Sequence, residues 1–231
     1  FYQVIGNPNL DPEYADSIQL GADYTTPNRR GRIGVNLFRN DVEDLIESQS
    51  LGFVATPGQL AAILAAENLD PSFNPVLGRL LFTYKNINDV VTQGVEVDGD
   101  LAIGHGATVA GAYTFLDARD SNTERELTLR HRHQGYVKFG WALARIGLRA
   151  NVRGSLYSSW IAARSTQDTV APAFSLWDAY VSQRVVRGLS AYLAVNNLAD
   201  NQDPNTGVVL PSGAPAGIYR PEVGRTVRVG V

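Results

Sequence analysis

Apolar and polar residues alternate along this chain with a period of two. In Ile146–Tyr157 the even positions are Ile146, Leu148, Ala150, Val152, Gly154 and Leu156. The odd positions are Gly147, Arg149, Asn151, Arg153, Ser155 and Tyr157. A strand puts these two sets on opposite faces, one apolar and one carrying two arginines. The same alternation predicts about nine strands, at Ser17–Thr26, Arg32–Ile46, Arg79–Ile103, Ala107–Leu116, Gly135–Trp141, Ile146–Tyr157, Ser175–Val185, Leu189–Asn197 and Arg225–Val231. The long strand from Arg79 is expected to bulge near Asn86-Ile87-Asn88-Asp89. One helix is predicted inside the connection Glu47–Gly78, with Thr56 as N-cap and Pro57 in the first turn, running to Ala66.

The connections alternate in length. Short turns follow Thr26, Ile103, Trp141 and Val185, and long ones follow Ile46, Leu116, Tyr157 and Leu198. An up-and-down transmembrane barrel has this parity, with short periplasmic turns and long outer loops, whereas a soluble Greek-key sandwich has no reason to keep it. The fold expected is therefore all-β, an antiparallel up-and-down transmembrane β-barrel. The last strand descends, which puts the C-terminus on the periplasmic side. About nine strands is an odd number, and an open sheet in lipid leaves unpaired edges. The whole of residues 1–231 is accordingly expected to be the C-terminal portion of a larger barrel.

Composition narrows the class. The chain has 231 residues, no Cys and a formal charge of -3. No thiolate metal site or disulfide scaffold is available, and the charge argues against nucleic acid as a partner. No stretch reaches the roughly 20 apolar residues of a membrane helix. A mean hydropathy of -0.12 does not speak against a barrel, whose lipid face occupies only every second residue. The chain starts Phe1-Tyr2-Gln3 with nothing like a signal peptide, so a processed product or a fragment is expected.

Short motifs between the strands resemble the TonB-dependent outer-membrane receptors. Gly6-Asn7-Pro8-Asn9-Leu10-Asp11-Pro12-Glu13 is similar to the family's entry to a barrel strand and is followed by Leu20-Gly21-Ala22-Asp23-Tyr24. Asp44-Leu45-Ile46, Tyr84-Lys85-Asn86-Ile87 with Gln93-Gly94-Val95-Glu96-Val97, Tyr113-Thr114-Phe115-Leu116-Asp117-Ala118, Val195-Asn196-Asn197-Leu198-Ala199-Asp200 and Gly224-Arg225-Thr226 follow in the family's order. Two features depart from the pattern: Ala199 stands where an aromatic is usual, and the chain stops at Val231 instead of ending in an aromatic. The resemblance implies part of a barrel of about 22 strands around a plug domain, with the plug absent from these residues. It implies a Gram-negative outer-membrane location amid lipid and lipopolysaccharide, and energy coupling through a TonB-type protein. It implies import of a scarce nutrient such as a ferric siderophore, cobalamin or a glycan. No catalytic residue and no cofactor are implied.

The residues leave several chemistries to weigh. Glu96, Asp98 and Asp100 share a strand face, with i and i+2 about 7 Å apart by strand rise. They could be an acid/base pair. The plainer reading is lumen lining, balanced by Lys138, Arg149, Arg153, Arg184 and Arg228, which the alternation also turns inward. His131 and His133 are expected to share a face beside Arg130 and Arg132. That makes half a metal site without a third ligand, a solvated rim, or a cluster that attracts an anionic ligand. Trp141, Trp160, Trp177, Tyr113 and Phe115 could stack on a sugar or an aryl group; girdles are the default in barrels, which Trp141 and Trp177 fit, while Trp160 in a loop is the better ligand contact. Asn196-Asn197 and Asp200-Asn201 are expected to satisfy turn backbone. A passive channel or adhesin barrel, or a soluble β-sheet binding module, are the alternatives in other classes.

Overall fold

The computed structural model describes residues 2–86, 89–164, 168–201 and 224–231. The elements in chain order are β1 (Tyr2–Val4), β2 (Tyr14–Thr25), β3 (Gly31–Glu43), β4 (Ile46–Val54), α1 (Pro57–Ala66), β5 (Arg79–Asn86), β6 (Val90–Gly104), β7 (Ala107–Asp120), β8 (His133–Leu143), β9 (Leu148–Tyr157), β10 (Trp160–Arg164), β11 (Asp168–Ala171), β12 (Phe174–Val186), β13 (Leu189–Asn196) and β14 (Thr226–Gly230). The chain divides into two compact units, Phe1–Ser17 with Asn40–Val91 and Asp120–Arg125, and Ile18–Arg39 with Thr92–Arg119 and Glu126–Val231.

The larger sheet has nine strands in the order β14-β13-β12-β9-β8-β7-β6-β3-β2, an antiparallel meander whose end strands do not pair with each other. Each predicted strand contributes one member. Short turns join β2 to β3, β6 to β7, β8 to β9 and β12 to β13, and the other connections are long, as the parity predicts. In the tightest turn, Gly104, His105 and Gly106 all take positive φ. A Cβ at Gly106 would lie 1.9 Å from the Ala142 carbonyl oxygen, so only glycine fits there.

Register settles the two faces, because directly paired residues point the same way. One row reads Val109, Phe139, Val152, Ala179, Val195 and Val227 across β7, β8, β9, β12, β13 and β14. The opposite row reads Ala110, Lys138, Arg153 and Asp178. Apolar side chains on this face stand open: Phe139 is 55% exposed, Val227 59% and Val229 75%. A contiguous apolar surface of this size on a water-soluble protein would be an aggregation hazard, whereas in a barrel it is the lipid face.

The other unit has its own small core. β1, β5 and β4 form a three-stranded sheet, and Leu60 and Leu64 of α1 pack with Ile5, Val54, Leu69 and Leu81. Thr83 is fully buried here, its hydroxyl donating to the Ile5 carbonyl at 3.1 Å. The helix starts where the sequence predicts. The Thr56 hydroxyl accepts from the Gln59 amide and the Gln59 side chain accepts from the Thr56 amide, a reciprocal cap. Past the helix, the Ser72 hydroxyl and amide both donate to the Asp70 carboxylate, which holds that carboxyl below its ordinary range.

Three expectations are corrected. The predicted strand Arg79–Ile103 is two strands in different sheets, β5 and β6; Ile87 and Asn88 of the expected bulge lie outside the described residues. The predicted strand Arg32–Ile46 ends at Glu43, because Asp44 takes φ +56 and turns the chain away. The connections Glu47–Gly78 and Ser158–Ala171 are not plain loops, since the first holds most of β4 and the second holds the β10–β11 hairpin. Most of the expected last loop, Ala199–Gly217, lies outside the described residues.

Candidate functional site at the loop ends of the sheet

β7, β8, β9 and β12 bring their long-connection ends together at Phe115, His133, Tyr157 and Phe174. His133 opposes Phe115, on the apolar face. Gln134 opposes Tyr157, and Tyr157 opposes Phe174, on the polar face. His131 precedes the first residue of β8, so strand alternation does not govern it. Its ring packs against Trp160 at 4.6 Å, Tyr157 at 5.2 Å and Phe174 at 5.9 Å, and Tyr157 stacks on Phe174 at 4.7 Å. The Nδ1 atom of His131 sits 2.6 Å from the Ser158 carbonyl oxygen, which fixes the ring's orientation.

The two histidines therefore do not share a face. His131 joins a four-ring nest on the polar side, while His133 bonds the Tyr113 hydroxyl through Nδ1 at 2.7 Å on the apolar side. Their i, i+2 spacing fails as a guide because only one of them lies in a strand. Among the described residues no group of three His, Asp or Glu side chains could hold a metal ion. Arg130 and Arg132 diverge as well. The Arg130 guanidinium donates to the neighbouring Leu129 carbonyl at 3.2 Å. The Arg132 guanidinium is held by Asp117 at 3.1 Å and Glu126 at 2.7 Å, so its charge is compensated locally. Trp160 is brought to His131. Tyr157 and Phe174 were not legible as partners in that nest, since strands β9 and β12 are separated by the hairpin and their pairing is not encoded locally.

On the polar face of the sheet, Arg32 of β3 bonds the carboxylates of both Asp23 on β2 and Asp98 on β6. The Asn36 side chain donates to Glu96 at 3.1 Å. The expected balance of Glu96, Asp98 and Asp100 by distant cations is thus corrected. The charge that meets Asp98 is Arg32, one strand away. Lys138 and Arg153 are paired across β8 and β9, Arg149 lies on the same face of β9, and Arg228 opposes Ala194, which opposes Tyr180. Arg153 lies over the Tyr136 ring at 4.3 Å. Among the described residues no ion pair links Lys138, Arg149, Arg153 or Arg228 to the acidic strand.

The recurring motifs are structural clasps. The Asn86 side chain donates to the carbonyls of Asp11 (2.9 Å) and Asp44 (2.6 Å) and accepts from the Asp11 amide. The Asn7 side chain donates to the Tyr84 carbonyl at 2.9 Å, and Glu13 accepts from the Ile46 amide at 2.6 Å. Asn197, at φ +52 and 5% exposed, exchanges two hydrogen bonds with the Asn201 backbone while its own amide donates to Asp178. Asp200 accepts from the Arg225 amide at 2.7 Å, which ties β14 to the end of β13. These turns are satisfied as the sequence reading expects of Asn197 and Asp200.

Comparison with known proteins agrees with this geometry. Residues 1–198 match the family described as TonB dependent receptor-like, beta-barrel. Among solved structures, the ferric-catecholate import receptor Fiu of E. coli is similar at 18% identity and TM-score 0.63, over 96% of this chain and 28% of that one. A mutant ferric enterobactin receptor of Pseudomonas aeruginosa bound to enterobactin is similar at 18% and 0.66, over 97% and 32%. The FrpB iron transporter of Neisseria meningitidis is similar at 14% and 0.62, over 98% and 32%. The chain thus spans about a third or less of the length of these structures. By its match across residues 1–198, the chain belongs to the β-barrel family of TonB-dependent receptors, a family of transporters and receptors and not of enzymes.

Proposed function

We propose that this chain forms part of the wall and mouth of an outer-membrane transporter that binds a scarce, metal-bearing small nutrient outside the cell and imports it with energy from a TonB-type protein. The observation that carries the reading is the two-faced sheet: Val109, Phe139, Val152, Ala179, Val195 and Val227 line one side, and Lys138, Arg153 and Asp178 the other. The first row suits acyl chains, and the second suits a wet lumen around a plug domain. The unpaired edges at β14 and β2 call for further strands, because open backbone in lipid is very costly. That disfavours a small closed channel made of this segment alone.

In this reading the nest of His131, Tyr157, Trp160 and Phe174 contacts ligand at the mouth, with Arg130 nearby in sequence contributing charge. Glu96, Asp98, Asp100, Lys138, Arg149, Arg153 and Arg228 line the lumen. Relatives of the same fold are named for ferric catecholates, iron and copper, which supports a metal-bearing cargo. The test uses the full-length receptor in a strain deleted for it, grown on single iron sources including ferric enterobactin and other ferric siderophores. Growth on one source that requires both the receptor and the energy-coupling protein is expected. Trp160→Ala should lower affinity for that source about tenfold at unchanged surface abundance, the scale of one lost aromatic contact. Receptor recovered in the soluble fraction, or uptake that persists without the coupling protein, would overturn the reading.

A further inference from the structure

The apolar face of the nine-stranded sheet contains a groove. Gly135 opposes Tyr113, and Gly111 opposes Val137, so at two adjacent points β7 and β8 expose bare backbone between large side chains. The hollow has a volume of about 650 Å³ and is walled by Tyr113, His133, Val137 and Leu156. It continues over Gly111 and Gly99 into a second hollow of about 480 Å³ that shares Tyr113 and Val137 and reaches Leu101 and Ile33. Glycine alone does not make a groove on this face. Gly154 is roofed by the Trp177 ring, with a built Cβ 2.6 Å from that ring. At Gly135 and Gly111, by contrast, the nearest atoms to a built Cβ are backbone. Tyr113 and Leu156 are 45% and 50% exposed, so the groove is open along its outer side.

Its two ends differ. At one end of β8 the Trp141 indole donates to the turn carbonyl of His105. His133 lies eight residues up the strand, about 27 Å at the rise of an antiparallel strand. For the tilt of a barrel strand this is about 20 Å along the membrane normal, close to the top of an apolar band about 25 Å tall. At that level the groove ends in polar groups. The Tyr113 hydroxyl and His133 Nδ1 are 2.7 Å apart, and the His133 backbone is clamped on both sides by Ser158, at 3.1 and 2.8 Å. In the tautomer in which Tyr113 donates to Nδ1, the neutral imidazole carries its proton on Nε2, which has no partner among the described residues and can donate to an oxyanion.

We propose that this groove is a built lipid site: one acyl chain of a lipid with a phosphomonoester headgroup, of the lipid A type, lies over Gly135 and Gly111, and its phosphate accepts from His133. The proposal rests on the reading that this face meets lipid. The groove is continuous with that lipid surface, and a hollow left empty there would lose its dispersion contacts. Its rim offers an N–H donor at the depth of the headgroups.

The full-length receptor, reconstituted in phosphatidylcholine nanodiscs with added diphosphoryl lipid A, is examined by native mass spectrometry for bound lipid. The same lipid without its phosphates is run in parallel. Val137→Trp narrows the groove from one wall and Leu156→Trp from the other, so failure of one variant to fold leaves the second as the test. Val229→Trp enlarges the same face away from the groove. One retained lipid is expected in the parent and in Val229→Trp, with retention about tenfold lower in the two filled variants. His133→Ala should weaken the diphosphoryl form about tenfold and leave the dephosphorylated form unchanged, the scale of one hydrogen bond to a charged group. Equal retention across all variants would overturn the proposal, as would His133→Ala acting alike on both lipids. Resistance of the receptor to carbonate extraction is scored first. A receptor that extracts sinks the membrane reading itself, whereas an embedded receptor with unchanged retention sinks only the groove.

Discussion

Placing an arginine at Val152 tests which side of the sheet meets hydrocarbon. Val152 is 39% exposed and sits on β9 between Phe139 and Ala179. It is four residues from the short-turn start of the strand, about 10 Å up an apolar band about 25 Å tall once strand tilt is included. That is near the midplane, where an arginine on the lipid face of a barrel costs about 2–4 kcal/mol. The folding equilibrium constant of Val152→Arg should therefore fall by about 30- to 1,000-fold. The paired control is Asn151→Arg, one residue earlier and on the opposite face, opposing Gly140 and Tyr180. There the new charge joins Arg149 and Arg153 in a wet, screened environment, and a cost under about 1 kcal/mol is expected. The assay is urea titration of the full-length receptor in phosphatidylcholine bilayers, with the folded fraction read from heat-modifiable gel mobility. If the sheet were instead washed by water on its apolar side, Val152→Arg would stay within about 0.5 kcal/mol of the parent, as ordinary surface changes do. That result, or equal costs for the two substitutions, would refute the orientation on which the functional reading stands.

Two further outcomes follow from the clasps and the close approach of strands. Asn86→Ala removes three side-chain hydrogen bonds, to Asp11 and Asp44, and should lower the stability of the β1-β4-β5 unit by about 1–3 kcal/mol; limited proteolysis of the intact receptor should show faster cleavage within residues 44–79 and unchanged barrel mobility. Gly94→Val should cut the yield of folded receptor severely, because a Cβ there would lie 2.1 Å from the Phe115 carbonyl oxygen and 2.8 Å from the Phe38 ring; a normal heat-modifiable band for this variant would show that the strands are spaced differently.

The nine barrel strands were legible because apolar and polar residues alternate along them, over eight or more positions in every one but the five-residue β14, enough to define a period. The turn at Asp44 and the break after Asn86 were not. No Gly or Pro marks Asp44-Leu45-Ile46 as a turn, and the positive φ of Asp44 that ends the strand is held by a side-chain amide from residue 86 bonding the carbonyl of residue 44. A local pattern carries no record of such a bond. Much of the candidate site was hidden for a related reason. Arg130, His131, Arg132 and His133 read as one basic cluster, yet β8 begins only at His133, so the residues before it follow the course of the loop and their contacts disperse. Trp160 was selected for its exposure in a loop, but its meaning depends on Tyr157 and Phe174, which meet only through the pairing of β9 with β12.

The motifs that disclosed the family say little about cargo, and the structure explains why. Asn7, Glu13, Asn86, Asn197 and Asp200 each spend their side-chain polar atoms on backbone groups where strands give way to loops. Arg32 and Asp98 neutralise each other inside the polar face. Groups already satisfied in this way cannot also grip a ligand without giving up a bond of about 1 kcal/mol or more. Such residues can therefore be shared by receptors for different nutrients, since they hold the strand ends at fixed spacing whatever lies above. On the proposed reading, discrimination comes from side chains with unspent capacity at the loop ends, and among the described residues the ring faces in the nest around His131 are the candidates. Aromatic faces select by shape and polarisability more than by charge. A cargo recognised here should accordingly present a flat unsaturated surface, and competition among ferric siderophores with and without aryl groups, scored on the parent and on Trp160→Ala, would separate that expectation from recognition by charge alone.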